Sequence, residues 1–284
     1  MLLAWRKRLG RMRFWVLYVI DLLHSGFAFR GRVVLELPLF YPNSYNYWKF
    51  PEQTFSSANF LPAQVVTLID ETTLTSGSPT LSLPKVNQGL EHQLSRSFDS
   101  HGSDKGINGY SNVYASLLSD LIEAPHPVKI LEVGLGTNNP KLVSTMGSKG
   151  RPGASLRAFK ECVPNSKIFG VDVDRDVLFY EEGIQTDFVD QLDFASFSAM
   201  QVSLGISTLD LVVDDGLHSP EANLNTLNWA LKVVRPGGYI VIEDIPDRSL
   251  GIWYLVYRIL EGAGHKTLIA KCSPSNLFVV QIKR

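Results

Sequence analysis

Four carboxylates and one imidazole fall into two short groups, Asp214-Asp215-Gly216-Leu217-His218 and Glu243-Asp244. Each group ends an apolar run of strand length, Leu209 to Val213 for the first and Tyr239 to Ile242 for the second. Carboxylates crowded together without a counter-charge disfavour one another's ionisation, so such a cluster calls for a cation. Oxygen-only ligands suit magnesium, which takes a few carboxylates and keeps positions for water or substrate hydroxyls. A hydroxyl beside a divalent cation releases its proton more readily. His218 stands one residue before Ser219, a good helix N-cap, and is placed to take that proton as a general base. Side chains alternate along a strand, so Asp214 and Asp215 point to opposite sides and only one of them faces the cation.

A second group lies upstream. The run Val128 to Val133 ends in Glu132-Val133-Gly134-Leu135-Gly136. Glycines at a strand end let the backbone approach a ligand without a side chain in the way. A dinucleotide fingerprint would continue to a third glycine and run straight into a helix. Here Asn139 holds the third position, Pro140 follows, and helical periodicity resumes only near Gly153. No phosphate-gripping helix N-terminus is offered, which disfavours an NAD-dependent oxidoreductase. The next strand ends in Asp172, 36 residues beyond Gly136, where a carboxylate can accept from two ribose hydroxyls. The one after ends in Asp190. The Glu-x-Gly-x-Gly form resembles the first motif of class I S-adenosylmethionine methyltransferases, whose ligand carries no phosphate. That resemblance implies an adenine contact for Asp190.

These groups need a scaffold that brings strand ends together. From residue 104 onward, short apolar runs alternate with helical segments. Val113, Leu117, Leu118, Leu121 and Ile122 mark a helix that Pro125 ends. Helices are expected over 154–162, 193–204, 220–234 and 250–260, with Pro220 at the first helical position after Ser219. Strands are expected over 128–133, 167–173, 186–189, 209–213, 239–242, 266–270 and 277–282. This order predicts an α/β fold, a Rossmann-like doubly wound, mostly parallel sheet of seven strands covered on both faces. Ligands in such sheets bind at the carboxyl ends of the strands near the switch in strand order.

Residues 1–100 read as an N-terminal α+β extension or cap, and residues 101–284 as the sheet-bearing domain. Strands are expected over 32–39 and 63–69, and a Thr/Ser/Gly/Pro-rich loop over 72–89. The first 35 residues carry Arg6, Lys7, Arg8, Arg11, Arg13, Arg30 and Arg32 around the apolar run 14–20. Seven apolar residues are too few to cross a bilayer, which takes about 20. A secretory signal is disfavoured by Asp21. A basic helix lying on a membrane surface is one reading; a helix packed on the main domain or on a second copy in a homo-oligomer is the preferred one. Over the 284 residues, 45% are hydrophobic and 19% charged, with a net charge of -1, which excludes a disordered chain and argues against a nucleic-acid binder. Two cysteines exclude a disulfide scaffold and fit a reducing, cytoplasmic setting.

Four blocks taken jointly are more specific than the glycine motif: Ser103-Asp104-Lys105-Gly106 with Tyr110 and Tyr114, Ile130 to Gly136, Asp214 to His218, and Pro236 to Asp244. Together they resemble the macrocin O-methyltransferase-like family, which is similar to cephalosporin hydroxylase-like proteins. The resemblance covers about residues 100–284. It implies a magnesium-dependent transfer of methyl from S-adenosylmethionine to a hydroxyl of a sugar, glycoside or polyol. Carried over, Asp215, Glu243 and Asp244 are the expected metal ligands, and His218, with Asp215, the expected catalytic pair. Lys105, Tyr110, Glu132, Gly134, Gly136, Asp172, Asp190 and Asp214 are expected around the donor, with Lys105 and Tyr110 in its lid. Two alternatives stay open: a donor-binding module without turnover, and a membrane-surface enzyme acting on a glycolipid.

Overall fold

A computed structural model describes residues 81–283; side chains of Arg248, Gly251 and Tyr254 are outside that description. The expected N-terminal helix and the strands over 32–39 and 63–69 lie outside the described residues.

The chain order is α1 (Gln88–His101), α2 (Tyr110–Ile122), β1 (Val128–Val133), α3 (Ala154–Cys162), β2 (Ser166–Asp172), β3 (Tyr180–Glu181), β4 (Ile184–Phe188), α4 (Phe194–Ser203), β5 (Leu209–Asp214), α5 (Pro220–Val233), β6 (Val234–Ile245), α6 (Leu250–Gly262), β7 (Lys266–Lys271) and β8 (Asn276–Gln281). The strands form one sheet in the order β3-β4-β2-β1-β5-β6-β8-β7. β4, β2, β1, β5 and β6 run parallel, and β3, β7 and β8 join antiparallel. The sheet therefore has eight strands rather than seven. The extra one, β3, is two exposed residues long and has too little apolar pattern to be read.

Period-two alternation builds two cores from one sheet. Leu131, Val212, Ile240, Ile242, Phe278 and Val280 face α4, α5 and α6, where Phe197, Leu224, Leu227, Trp253 and Leu260 meet them. Ile130, Leu211, Val213, Val241 and Val279 face the other way, toward Leu94, Phe98, Tyr114, Leu117, Leu156 and Phe159 of α1, α2 and α3. Phe98, Tyr114 and Phe159 stack edge to face with ring centroids 5.2 to 6.3 Å apart. Leu94 and Phe98 make α1 part of this core, so a boundary drawn at residue 100 cuts through a helix that belongs to the sheet-bearing unit.

Helix ends follow the local sequence. Ser219 accepts from the Ala222 N–H at 3.3 Å and Pro220 starts α5. Asn87 caps α1 at 3.2 Å, and Gly102 ends it in the left-handed region at φ 90°. β6 is longer than expected: it absorbs Pro236-Gly237-Gly238, where its pairing with β5 shifts register between Leu209 and Leu211. Proline is tolerated at such an irregularity because no ladder hydrogen bond depends on it there. Among the described residues, no helix is long and apolar enough to cross a membrane.

Candidate active site

The strand order reverses between β1 and β5, and their carboxyl ends carry the two sequence groups into contact. The loops touch backbone to backbone. Asp215 N–H donates to the Val133 carbonyl at 2.8 Å, and Gly134 N–H to the Val171 carbonyl at 2.8 Å. Gly134 has φ 96°, and a Cβ there would lie 2.2 Å from the Asp215 carbonyl oxygen. Gly136 has φ 79°, and a Cβ there would meet Met146. Both glycines were expected to clear space for a ligand. The space each one clears on its Cβ side is filled by protein, so what they secure there is the packing of one loop on another.

Lys105 lies between α1 and α2 and is 1% exposed. Its ammonium is 2.6 Å from Asp215 Oδ2, 2.6 Å from Glu243 Oε2 and 3.1 Å from Glu132 Oε1. Burial works against its charge, but Asp215, Glu243 and Glu132 outweigh that and hold its pKa well above the ordinary lysine value. Tyr114 donates to Glu243 Oε1, and Tyr110 donates to Asp244 Oδ1 at 2.7 Å. The two tyrosines are four residues apart on one face of α2. Burial and the adjacent carboxylates raise both phenols, so they remain donors.

These contacts use Asp215 Oδ2 and Asp244 Oδ1 and leave the other oxygen of each facing His218. His218 Nε2 is 3.8 Å from Asp215 Oδ1 and 3.7 Å from Asp244 Oδ2. Ligand atoms of Asp215, His218 and Asp244 all lie within 4.8 Å of one another. The His218 side chain is 92% buried, and its Nδ1 has no partner among the described residues. Among the described residues, the two non-glycine positions with positive φ are His218 at 54° and Asp244 at 55°. A left-handed backbone costs about 1–3 kcal/mol where a side chain is present. Both strained positions aim into the same gap. Burial pushes Asp215 up to about 7, Lys105 opposing and Asp244 adding to the rise, even though a quarter of its side chain is open to solvent. A divalent cation in the gap would reverse that rise.

Both oxygens of Glu243, expected as a metal ligand, are engaged by Lys105 and Tyr114, and the converging set is formed by Asp215, Asp244 and His218. Asp214 was expected at the donor. It is fully buried beneath the loop, accepting from Gln191 Nε2 at 2.8 Å, Asn223 Nδ2 at 3.1 Å and Gly216 N–H at 3.3 Å. Gln191 in turn accepts from Leu217 N–H at 2.8 Å. The pair thus fixes the turn that presents Asp215 and His218. Glu132 is also fully buried, held by Ser155 and facing Lys105.

Asp172 accepts from Leu135 N–H and Asp174 N–H, each at 2.8 Å, and so braces the glycine loop. Asp190 is half-buried at the β4 end and accepts from Leu192 N–H at 2.9 Å. Gln191, Asn223 and Tyr114 were not singled out as site residues. Only Tyr114 carried a readable signal, its i+4 spacing from Tyr110. Two cavities of about 260 Å³ lie at the opposite, amino edge of the sheet, around Lys129, Lys167 and Thr208, away from this chemistry.

Residues 150–245 match a family model described as a methyltransferase domain. Curated relatives include the 8-demethyl-8-alpha-L-rhamnosyl tetracenomycin-C 2'-O-methyltransferase of Streptomyces olivaceus, 28% identical over 146 residues, which is 51% of this chain and 35% of that protein. The mycinamicin VI 2''-O-methyltransferase of Micromonospora griseorubida is 34% identical over 120 residues, 42% of this chain and 27% of that protein. The matches thus span about a third or less of those relatives. A solved structure of the MycE methyltransferase from the mycinamycin biosynthetic pathway, in complex with Mg and SAH, superposes with a TM-score of 0.51 at 21% identity, covering 73% of this chain and 56% of that one. This likeness shows the Rossmann-like fold expected from the strand order.

Proposed function

We propose that this methyltransferase domain moves a methyl group from S-adenosylmethionine to a sugar hydroxyl of a glycosylated small molecule, assisted by a divalent cation of the magnesium class. The observation that carries the reading is the convergence of Asp215 Oδ1, Asp244 Oδ2 and His218 Nε2 beside the glycine loop. The named relatives, which methylate rhamnosyl tetracenomycin-C and mycinamicin VI, support the acceptor class.

The converging residues fit the cation. Two free carboxylate oxygens and an imidazole nitrogen converge on one gap, and hard oxygen donors suit magnesium. Asp215 and Asp244 would hold the cation. The donor belongs at the carboxyl edge of β1, β2 and β4, between the glycine loop and Asp190. When bound, the sulfonium supplies an electrophilic methyl and the cation makes a hydroxyl easier to deprotonate. His218 is not needed as a ligand, because a magnesium site prefers oxygen. Its Nε2 instead accepts the proton of the acceptor hydroxyl. Lys105, Tyr110 and Tyr114 hold the carboxylates in place from the α1–α2 side. Asp214, Gln191 and Asn223 hold the turn from beneath, so that little reorganisation is needed during transfer.

Calorimetric titration with S-adenosylhomocysteine in magnesium tests the donor half. Micromolar affinity, about -8 kcal/mol, is expected. The acceptor half is tested by methyl transfer to a panel of deoxyhexosyl glycosides with and without EDTA. Transfer that EDTA abolishes is the expected result. Donor binding with no transfer to any glycoside would point to a binding module, and transfer indifferent to EDTA would remove the cation.

A further inference from the structure

We propose that Lys105 is a resident counter-cation that offsets the charge of the site's carboxylates before a divalent ion arrives and so sets the affinity for that ion. The proposal rests on the reading that Asp215 and Asp244 hold a divalent cation.

Asp215 is shared between two lobes. Its Oδ2 faces the Lys105 lobe, completed by Glu132 and Glu243, and its Oδ1 faces the open lobe, completed by Asp244 and His218. Glu132, Asp215, Glu243 and Asp244 bring four formal negative charges, and Lys105 removes one. A divalent ion in the open lobe then leaves a single excess negative charge. Without Lys105 the same four carboxylates would face one another across a largely buried space. Three of them lie within 3.1 Å of its ammonium, so its position is set by ion pairing on three sides. Gly106 lets the segment turn inward: a Cβ there would lie 2.5 Å from Asp99 Oδ1 and 3.0 Å from the Ser95 carbonyl oxygen of α1.

A lysine that were only structural and one that balances charge differ in what its removal does to metal binding. Loss of a structural support loosens Asp215 and weakens the ion. Loss of a counter-charge strengthens the pull on the ion, because repulsion across Asp215 disappears.

The test is Mn2+ titration, followed by electron paramagnetic resonance, of the full chain and of Lys105→Met, Lys105→Arg and Lys105→Met/Glu132→Gln, with thermal unfolding in EDTA alongside. Lys105→Met is expected to bind Mn2+ about tenfold more tightly and to unfold earlier in EDTA. The double variant removes one charge of each sign and is expected to return both properties toward wild type. Lys105→Arg is expected to keep both. A folded Lys105→Met protein with equal or weaker Mn2+ binding overturns the proposal. If Lys105→Met does not fold, the isosteric Glu132→Gln variant decides: several-fold weaker Mn2+ binding supports the proposal, and unchanged binding overturns it. Wild-type protein that binds no Mn2+ saturably overturns the cation reading itself and the proposal with it.

Discussion

Gly134→Ala is expected to damage two loops at once. At φ 96° the backbone of residue 134 lies in a region that costs a side-chain-bearing residue about 1–2 kcal/mol. The added Cβ would also stand 2.2 Å from the Asp215 carbonyl oxygen, 2.6 Å from its carbonyl carbon and 2.7 Å from Gly216 Cα. Ordinary contact begins near 3.4 Å, so the β5 loop would have to retreat by 1.2 Å. The obstruction is backbone, tied to β1 by the Asp215 N–H to Val133 bond, and cannot swing aside as a side chain would. Forcing extra volume into a packed contact costs about 1–3 kcal/mol. The sum is about 2–5 kcal/mol, or roughly 4–20 °C in melting temperature for a domain near 200 residues. Moving Asp215 by about 1 Å should lower turnover about 100-fold, as small misplacements of positioned groups do.

Gly205→Ala supplies the control. Gly205 also has positive φ, at 62°, but nothing lies within 4 Å of its Cβ position. It should cost the backbone strain alone. Thermal melts of both variants with and without magnesium, and Mn2+ titration of both, separate strain from collision. If Gly134→Ala melts within about 2 °C of Gly205→Ala and binds Mn2+ as wild type does, the claimed coupling between the glycine loop and the Asp215 turn is wrong.

Three further outcomes are expected. His218→Ala should bind S-adenosylhomocysteine within about threefold of wild type yet lose methyl transfer by about 100-fold or more, as removal of a general base does; a variant retaining most of its rate would remove that role. Trp253→Ala should destabilise by about 3–5 kcal/mol in urea unfolding, because its buried ring packs 5.1 Å from that of Phe278 and leaves a void on truncation. His265 has its pKa lowered from 6.5, by burial and then by Lys283. The unfolded chain therefore takes up that proton first, and the stability tied to neutral His265 is complete above pH 6.5 and lost as pH falls below it. His265→Gln should shrink the drop in melting temperature between pH 7.5 and 5.5, and an unchanged drop would assign the loss to other groups.

The parts of the fold that local chemistry determines were readable. α3 occupies the expected 154–162, and Ser219-Pro220 starts α5 as a cap and first helical residue should. Strand alternation separates Asp214 from Asp215, and the structure buries the first beneath the turn while the second faces Lys105. The parts set by distant contacts were not. Lys105 is 110 residues from Asp215 and 138 from Glu243, and nothing in Ser103-Asp104-Lys105-Gly106 itself shows that the ammonium is buried among carboxylates. The glycine loop was readable as a loop, but what fills the space beside Gly134 and Gly136 depends on the Asp215 turn and on Met146.

The placement of charge argues for chemistry over stability. Burying ions costs several kcal/mol each, and a well-packed apolar cluster of similar volume often serves a fold equally well or better. A sheet with two complete apolar cores has no need of an ammonium among three carboxylates at its edge. Two left-handed residues in the same few ångströms add strain that those cores must offset. Such costs are intelligible where the groups must already stand in the geometry a reaction needs. His218 and Asp244 carry the strain, Asp215 joins the two lobes, and the backbone of that turn rests on the glycine loop. The glycine loop and the turn that carries Asp215 and His218 therefore share one rigid contact between Gly134 and Asp215, and the distance between them is held by the ends of β1 and β5.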